Sequence, residues 1–220
     1  MKMAECPKLF TAVDFVETDS FAYERELFRQ GIGRVAGTDE AGRGPLAGPV
    51  VAACVVLPAG CDFTLFKDSK QLSAVRRARL HELLLESGAE IGVGCGTVAD
   101  IDRINILRAS LLAMKRAVAA LADMPDFLLV DGKFPVPLFM PQQSLVKGES
   151  RSASIAAASI VAKQERDRLM EGYHRQYPRY NFARHKGYPT AEHRRLLEKH
   201  GPCAIHRRAF KGVREHWPRK

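Results

Sequence analysis

The sequence predicts a mixed α/β fold, in which one sheet is flanked by helices. Two apolar stretches near the N-terminus are separated only by a short glycine-rich turn, which favours an antiparallel strand pair. Further along, helical patterns alternate with short apolar strands, the order expected when helices cover a sheet. The 220 residues, of which 46% are hydrophobic, are enough for one large domain or for a domain with a small appendage.

The first predicted elements are a short helix and the strand pair. Asp19 can cap a helix over residues 21–30, and a glycine follows that helix. Residues 34–39 are predicted to form a strand, and residues 41–48 its glycine-rich turn. The uninterrupted apolar run at residues 50–57 lies between two prolines and is typical of a buried strand.

A helix, a strand and a second helix come next. Ser73 can cap a helix that runs to residue 87, with leucines spaced on its turns. Residues 90–97 alternate between apolar and polar positions and are predicted to form the third strand. Residues 98–122 carry an apolar stripe at helical spacing, which predicts one long helix.

The last part of the chain begins with a short buried strand at residues 126–130, which stops at Asp131. After a proline-rich loop, residues 152–174 are predicted to form a helix whose first half consists almost entirely of small residues. Small side chains let a helix approach a sheet closely, so we expect this helix to be buried. Thr190 can cap one more helix, which ends before Gly201.

Charge is distributed unevenly along the chain. The first 146 residues contain 16 basic and 18 acidic residues, whereas the remainder contains 18 basic and 7 acidic residues, a net charge of +11. Lysine and arginine release counterions when they neutralise phosphates, so this basic third predicts a polyanionic partner. A solvated basic surface is the alternative interpretation.

The pattern of cysteines and the hydropathy of the sequence indicate in which cellular compartment the protein is expected. The five cysteines are scattered and never form a CxxC pair, which argues against a disulfide framework and against a structural zinc site. No secretory signal is evident, and the longest apolar stretch is far too short to span a bilayer. We therefore expect a cytoplasmic protein without a membrane segment.

Two adjacent carboxylates, Asp39 and Glu40, end the first predicted strand. Successive side chains of a strand point to opposite faces, so both can reach one site only where the strand ends or kinks. Asp131 ends another strand in the same way, and strand ends of α/β sheets are where catalytic groups gather. An exposed acidic turn is the alternative. Carboxylates without histidine or cysteine at ligand spacing favour Mg²⁺ or Mn²⁺, which in pairs can promote phosphodiester hydrolysis.

Seven sequence blocks, in order, resemble those of bacterial ribonuclease HII, the type 2 ribonuclease H. The blocks are TDEAGRGPLAGPVVAACVVLP (38–58), KDSKQLS (67–73), LLVDG (128–132), VKGES (146–150), SIAAASIVAKQERD (154–167), HKGYPT (185–190) and GPCAIHRR (201–208). The resemblance implies a ribonuclease H-like fold with a small C-terminal helical appendage. Residues 33–220 would be the catalytic domain, with residues 189–220 as its helical part, after an N-terminal segment, residues 1–32, that contains a short helix.

The resemblance also implies an activity. Members of the family hydrolyse the RNA strand of RNA–DNA hybrids and cut on the 5′ side of single ribonucleotides embedded in duplex DNA. Two divalent metal ions, Mn²⁺ or Mg²⁺, would support the reaction, which leaves a 3′-hydroxyl and a 5′-phosphate. Such hybrids and ribonucleotide-containing duplexes are therefore the expected partners, and we expect a monomer.

Four acidic residues match the family's metal-binding positions. Asp39, Glu40 and Asp131 match them directly, and Glu149 holds the fourth. In this family we expect aspartate at the fourth position, so Glu149 is a departure. A glutamate is one methylene longer and can still reach a metal, with a shifted ion position.

Substrate contacts are implied in the same way. Gly42, Arg43 and Gly44 match the loop that senses the ribose 2′-hydroxyl, a group that both donates and accepts hydrogen bonds. Tyr188 matches the tyrosine that packs against the following deoxyribose; a core or turn tyrosine is the alternative. Lys70 is predicted to contact a phosphate or the active site, with a solvated lysine as the alternative.

Other charged residues in the matching blocks have simpler interpretations. Lys163, Arg166 and Asp167 lie at i, i+3 and i+4 of a predicted helix, which predicts ion pairing within that helix. The resemblance suggests instead that Lys163 or Arg166 supports the site. For His185 and His206 we predict surface or hydrogen-bonding roles.

Other function classes stay open on the sequence alone. The chain could be a non-catalytic nucleic-acid-binding module, for which no metal-dependent cleavage of any hybrid is expected. It could be a phosphatase acting on small molecules, which leaves the basic third without a purpose. The type 3 ribonuclease H shares the acidic set but carries an extra N-terminal substrate-binding domain, for which the residues before Gly33 are too few.

Overall fold

The computed structural model of the chain describes residues 19–58, 66 and 73–217, so Lys70 lies outside the described residues. After an initial helix, strands and helices follow one another in nearly the order that the sequence predicts. The strands are β1 (Val35–Ala41), β2 (Val50–Val56), β3 (Glu90–Gly96), β4 (Phe127–Asp131) and β5 (Gln142–Leu145). The helices are α1 (Ala22–Arg29), α2 (Ala74–Glu86), α3 (Val98–Ala119), α4 (Ala153–Gln176), α5 (Phe182–His185) and α6 (Ala191–His200).

The strands form one mixed sheet with the order β3-β2-β1-β4-β5. β1, β2 and β3 pair antiparallel, which confirms the predicted strand pair, whereas β4 runs parallel to β1 and β5 runs parallel to β4. Thr38 is opposite Val130 in the parallel register. Asp39 and Asp131 therefore follow at the same level on neighbouring strands.

Helices cover both faces of the sheet. α3 packs on β2 and β3, whereas α4 packs on β1 and β2 from the other side. The small-residue half of α4 is buried, as predicted, because its alanines lie directly on the strands. An added Cβ at Gly37 of β1 would overlap the backbone nitrogen of Ile155, so the first turn of α4 rests on the strand itself.

The ends of the chain complete the fold. Tyr23 and Leu27 of α1 pack in one buried cluster with Val35 of β1 and Phe127 of β4. At the other end, α6 packs through Leu197 with residues from the glycine-rich turn and the C-terminal segment. No helix among the described residues is long and apolar enough to cross a bilayer.

Three features differ from the sequence prediction, and one of them is the short helix α5, which was not predicted. The long helix α3 is kinked at Asn105, whose backbone (φ 70, ψ 167) is not helical, so the prediction of one continuous helix is wrong there. The Asn105 side chain accepts a hydrogen bond from the backbone N–H of Arg108 (3.1 Å) and so caps the second half. β5 was not predicted, because in this polar edge strand only Leu145 is buried and no alternation marks it.

Glycines on β3 allow α3 to lie unusually close to the sheet. Gly92 and Gly94 face helix carbonyls: an added Cβ would overlap the carbonyl oxygens of Ala117 and Ala113 respectively. These are backbone atoms, which cannot rotate away as a side chain can. The short distance between α3 and the sheet therefore depends on the absence of a side chain at Gly92 and Gly94.

Gly94→Ala is expected to lower the free energy of unfolding by about 1–3 kcal/mol, because the added methyl forces the backbone of α3 away from β3. Denaturant unfolding followed by circular dichroism measures the change. Gly172→Ala is the matched control in the interior of α4, where the nearest atom beyond its own helix backbone is a flexible arginine nitrogen at 3.8 Å. Its expected effect is a gain of about 0.5–1 kcal/mol. Equal effects at both positions would contradict the packing argument.

Candidate active site

Four acidic side chains line one open cleft of about 390 Å³ at the edge where β1 and β4 end. Asp39 and Glu40 lie near the end of β1, and Asp131 is the last residue of β4. Glu149 lies in a 3₁₀ turn, Gly148–Ser150, that follows β5. The structure thus brings together all four acids that the sequence singled out.

Backbone amides hold two of these carboxylates. The N–H of Glu40 donates to Asp39 Oδ1 (2.6 Å), and the N–H of Gly148 donates to Asp131 Oδ1 (2.7 Å). An added Cβ at Gly148 would lie 2.6 Å from Ile155 Cδ1 and 3.2 Å from Asp131 Oδ1. The turn that carries Glu149 is therefore packed directly against the end of β4.

The acids repel one another electrostatically. Burial, together with the negative charges of Glu40, Asp131 and Glu149, raises the pKa of Asp39 well above its usual range. Burial also raises the pKa of Glu40, although its ion pair with Arg43 (3.1 Å) opposes that shift. Such a cluster is stabilised by a cation, and its all-oxygen donor set suits Mg²⁺ or Mn²⁺.

Among the described residues, no group of three or more His, Cys, Asp and Glu side chains is arranged so that it could hold a metal ion by itself. The four acids instead line an open cleft. Mg²⁺ ordinarily keeps several waters and is bound through one or two carboxylates plus substrate phosphates. An open carboxylate site therefore fits an ion that is shared with a phosphodiester.

The glycine-rich loop and Tyr188 lie in the same cleft as the acids. Gly42, Arg43 and Gly44 line it next to Glu40, and Cε1 of the Tyr188 ring lies 3.9 Å from the position of an added Cβ at Gly44. Tyr188 is 40% exposed, so it is not a core residue. The residues predicted to read the sugar thus lie beside those predicted to hold the metal.

Two basic residues of the cleft come from separate helices. Lys163 of α4 lines it and pairs with Asp167 (2.6 Å), which confirms the predicted ion pair within that helix. Burial lowers the pKa of Lys163, and the carboxylate of Asp167 opposes that shift. Arg77 of α2 also lines the cleft, 3.8 Å from Asp167. The sequence did not single out Arg77, and its spacing from the acids carries no signal.

The structure corrects two sequence predictions. Arg166 does not take part in the ion pairing predicted for its helix: it is fully buried and donates to backbone carbonyls. His185 and His206 are also buried, so surface positions are wrong for both. Their predicted hydrogen-bonding roles are confirmed, since His185 Nε2 bonds the carbonyl of Tyr180 (2.7 Å) and His206 Nδ1 accepts from the backbone N–H of Cys203 (2.9 Å).

Comparison with known proteins assigns the family. Residues 36–218 match the family described as Ribonuclease HII. A ribonuclease HII of Desulfotalea psychrophila is 57% identical over 201 residues, which are 90% of this chain and 89% of that protein. One from Syntrophotalea carbinolica is 52% identical over 88% of this chain and 93% of its own length.

A solved structure shows the same fold. The ribonuclease H2 from Pyrococcus horikoshii superimposes with a TM-score of 0.69 at 26% identity, over 83% of this chain and 96% of that one. The ribonuclease H-like fold that the sequence blocks implied is therefore confirmed. The chain belongs to the ribonuclease HII family, and it is a metal-dependent endoribonuclease of the kind that acts on RNA–DNA hybrids.

Proposed function

We propose that this chain cuts on the 5′ side of ribonucleotides, both in RNA–DNA hybrids and at single ribonucleotides embedded in duplex DNA. The products would be a 3′-hydroxyl and a 5′-phosphate. One observation carries the proposal: the acids and the Gly42–Gly44 loop line one cleft, so the group that identifies a ribose would lie beside the group that cleaves the strand.

The acids have distinct tasks in this proposal. Asp39 and Asp131, level with each other on adjacent strands, would hold two divalent ions, with Glu40 and Glu149 completing the coordination. Such ions, when bound, activate water and stabilise the leaving oxygen of a phosphodiester. The hydrogen bonds from Glu40 and Gly148 fix the orientations of the two aspartates, and the longer side chain of Glu149 reaches in from the turn after β5.

Sugar selection would rest on the glycine-rich loop and on Tyr188, which line the same cleft as the acids. Gly42, Arg43 and Gly44 leave the backbone accessible from the cleft, so that amide and carbonyl groups can meet a 2′-hydroxyl. The ring of Tyr188 would pack against the next sugar and disfavour a 2′-hydroxyl there by shape. Lys163 supplies positive charge for the phosphates, and Lys70 remains a proposed phosphate contact.

Three duplexes of identical sequence test the proposal: all DNA, DNA with one ribonucleotide, and an RNA–DNA hybrid. In Mg²⁺ or Mn²⁺ we expect nicking 5′ of the single ribonucleotide, cleavage of the hybrid and an intact all-DNA duplex. Product ends are identified by ligation and by phosphatase treatment. Cutting of the all-DNA duplex would contradict the sugar-sensing role of the loop.

The same assay separates the alternatives. Binding without cleavage on any duplex would favour a non-catalytic nucleic-acid-binding module. Cleavage of the hybrid alone would favour type 3 specificity. Hydrolysis of a simple phosphate ester with all three duplexes intact would favour a small-molecule phosphatase.

A further inference from the structure

Two arginines lie completely buried behind the sugar-sensing loop. They are Arg166 of α4 and Arg207 of the C-terminal segment, both 0% exposed. In the described part of the chain, every hydrogen bond from their guanidinium groups goes to a backbone carbonyl and none goes to a carboxylate. Burying a charge without an opposite charge is costly unless its donors are satisfied. Two such residues side by side indicate a backbone arrangement that depends on them.

Arg166 joins the turn before β2 to the loop that carries Tyr188. It donates to the carbonyls of Pro49 (3.0 Å) and Ala47 (3.2 Å) on one side, and to that of Lys186 (3.0 Å) on the other. Its guanidinium carbon lies 5.8 Å from the centre of the Tyr188 ring. Arg166 therefore supports the tyrosine side of the cleft.

Arg207 holds the sugar-sensing loop itself. Its Nη1 donates to the carbonyl of Arg43 (2.9 Å) and its Nη2 to the carbonyl of Gly42 (2.5 Å), while Nε donates to Gly48 (2.9 Å). Burial, together with the charge of Arg166, lowers the pKa of Arg207 to about 9, which leaves it protonated at neutral pH. All of its donors are thus available for the loop carbonyls.

Because these carbonyls point inward, the N–H groups that follow them in the chain point outward. In a planar trans peptide the C=O of one residue and the N–H of the next point in opposite directions. With the carbonyls of Gly42 and Arg43 directed at Arg207, the N–H groups of Arg43 and Gly44 point away from it, and both residues line the cleft. Neither N–H donates to another group within the described residues. Both are available to an acceptor in the cleft.

Gly42 leaves the loop little freedom to adopt another arrangement. Its backbone has a positive φ of +99°, and an added Cβ would overlap the Arg166 side chain. The loop is therefore confined between Arg166 on one side and Arg207 behind it.

We propose that Arg207 is a positioning residue for sugar selection. By holding the carbonyls of Gly42 and Arg43 inward, it keeps the N–H groups of Arg43 and Gly44 facing the cleft, where they would donate to the ribose 2′-hydroxyl. The inference rests on the proposed function, because it requires the loop to read that hydroxyl. Arg207 is itself buried away from substrate.

Arg207→Lys tests the proposal with the charge retained. A lysine ammonium is a compact point charge and cannot reproduce the fixed fork that spans two adjacent carbonyls. Arg208→Lys is the matched control, since Arg208 is the exposed neighbour and stacks on Trp217 (4.2 Å). Both variants are assayed with the Mg²⁺-loaded enzyme on a single-ribonucleotide duplex, and an unlabelled all-DNA duplex serves as competitor.

For Arg207→Lys we expect kcat/KM on the single-ribonucleotide duplex to fall about 10- to 100-fold, the loss that follows misaligned hydrogen bonds to one hydroxyl. The inhibition constant of the all-DNA duplex should change less than about twofold, because binding to phosphates is intact. Arg208→Lys should change neither quantity. If the variant is folded by circular dichroism, either an unchanged kcat/KM or an equal weakening of both quantities overturns the proposal.

A measurement on the wild-type protein covers the case in which Arg207→Lys fails to fold. In buffer without divalent metal, the amide resonances of Arg43 and Gly44 should shift more on binding a duplex with one ribose than on binding its all-DNA counterpart. If the wild-type enzyme cuts only at ribonucleotides but these two amides respond equally to both duplexes, the role of Arg207 is refuted and the proposed function stands. If the wild-type enzyme cuts both duplexes, the proposed function fails first.

Discussion

Replacement of Asp131 by asparagine is expected to lower cleavage of a single-ribonucleotide duplex by about 10³-fold, the loss of several kcal/mol of transition-state stabilisation by the metal ions. Asparagine keeps the size of the side chain and can still accept the hydrogen bond from Gly148, but it removes the charge that attracts a divalent ion. Single-turnover cleavage in Mg²⁺ and in Mn²⁺ measures the effect.

Controls separate lost chemistry from lost binding. Duplex affinity of Asp131→Asn, measured without divalent metal, should be equal to or tighter than that of wild type, since one negative charge has left the cleft proposed to receive phosphates. Asp123→Asn, at an exposed position, should leave both activity and binding unchanged. Near-normal turnover of Asp131→Asn would show that the metal site lies elsewhere.

For Asp39→Asn we expect a loss of activity but a gain in the stability of the folded protein. Because burial and the neighbouring acids raise the pKa of Asp39, its charged form destabilises the folded protein at neutral pH. The variant should therefore unfold at a higher temperature than wild type in metal-free buffer, although it is inactive. Adding Mg²⁺ should stabilise wild type more than the variant, because only wild type retains the full carboxylate set. A lower Tm without metal would contradict the electrostatic argument.

Most of the fold was predictable because its elements carry local signals. Apolar runs bounded by prolines or glycines marked β1, β2 and β4, and the small residues of α4 predicted its burial. The meeting of Asp39 and Asp131 in one cleft was predictable too, because both end apolar strands, whereas Glu149 was identified only through the resemblance of its sequence block. What failed lacks such a signal: β5 is polar, and the kink at Asn105 lies within an apolar stripe that continues across it.

The supporting residues of the site could not be predicted, because they act through tertiary contacts. Arginine is rarely buried, so nothing in the sequence distinguishes Arg207, which is buried, from Arg208, which is exposed. Spacing on α4 predicted an acidic partner for Arg166, whereas its donors meet backbone carbonyls, two of which lie more than a hundred residues away along the chain. The sequence thus identifies the proposed metal-binding acids more readily than the buried residues that support the loops around them.

A chain of neutral histidines supports the loop of Tyr188 and predicts acid sensitivity. The backbone N–H of Cys203 donates to His206 Nδ1 (2.9 Å), so the proton of His206 is on Nε2, which donates to His193 Nε2 (3.1 Å). His193 in turn donates from Nδ1 to the carbonyl of Tyr188 (2.9 Å). An added proton on either ring would place two donors face to face. Burial lowers the pKa of His193 to about 4 and that of His206 to about 3.

The direction in which pH changes the stability of the folded protein follows from proton linkage. The unfolded chain protonates these histidines near pH 6.5, but the folded chain does so only at much lower pH, so acid favours unfolding. Their stabilisation is complete above about pH 6.5 and is lost as the pH falls toward the folded pKa values. Asp39, whose pKa is raised, acts in the opposite direction, so wild type alone reports only the difference between the two effects.

His206→Gln isolates the histidine contribution, because its amide can still donate to His193 but does not titrate. Between pH 6.5 and 4, wild type is expected to lose about 3 kcal/mol more unfolding free energy than this variant does, at about 1.4 kcal/mol for each pKa unit. Denaturant unfolding at several pH values measures both losses. Parallel curves for wild type and His206→Gln would mean that His206 is already protonated in the folded protein and that the tautomer chain ending at Tyr188 is misassigned.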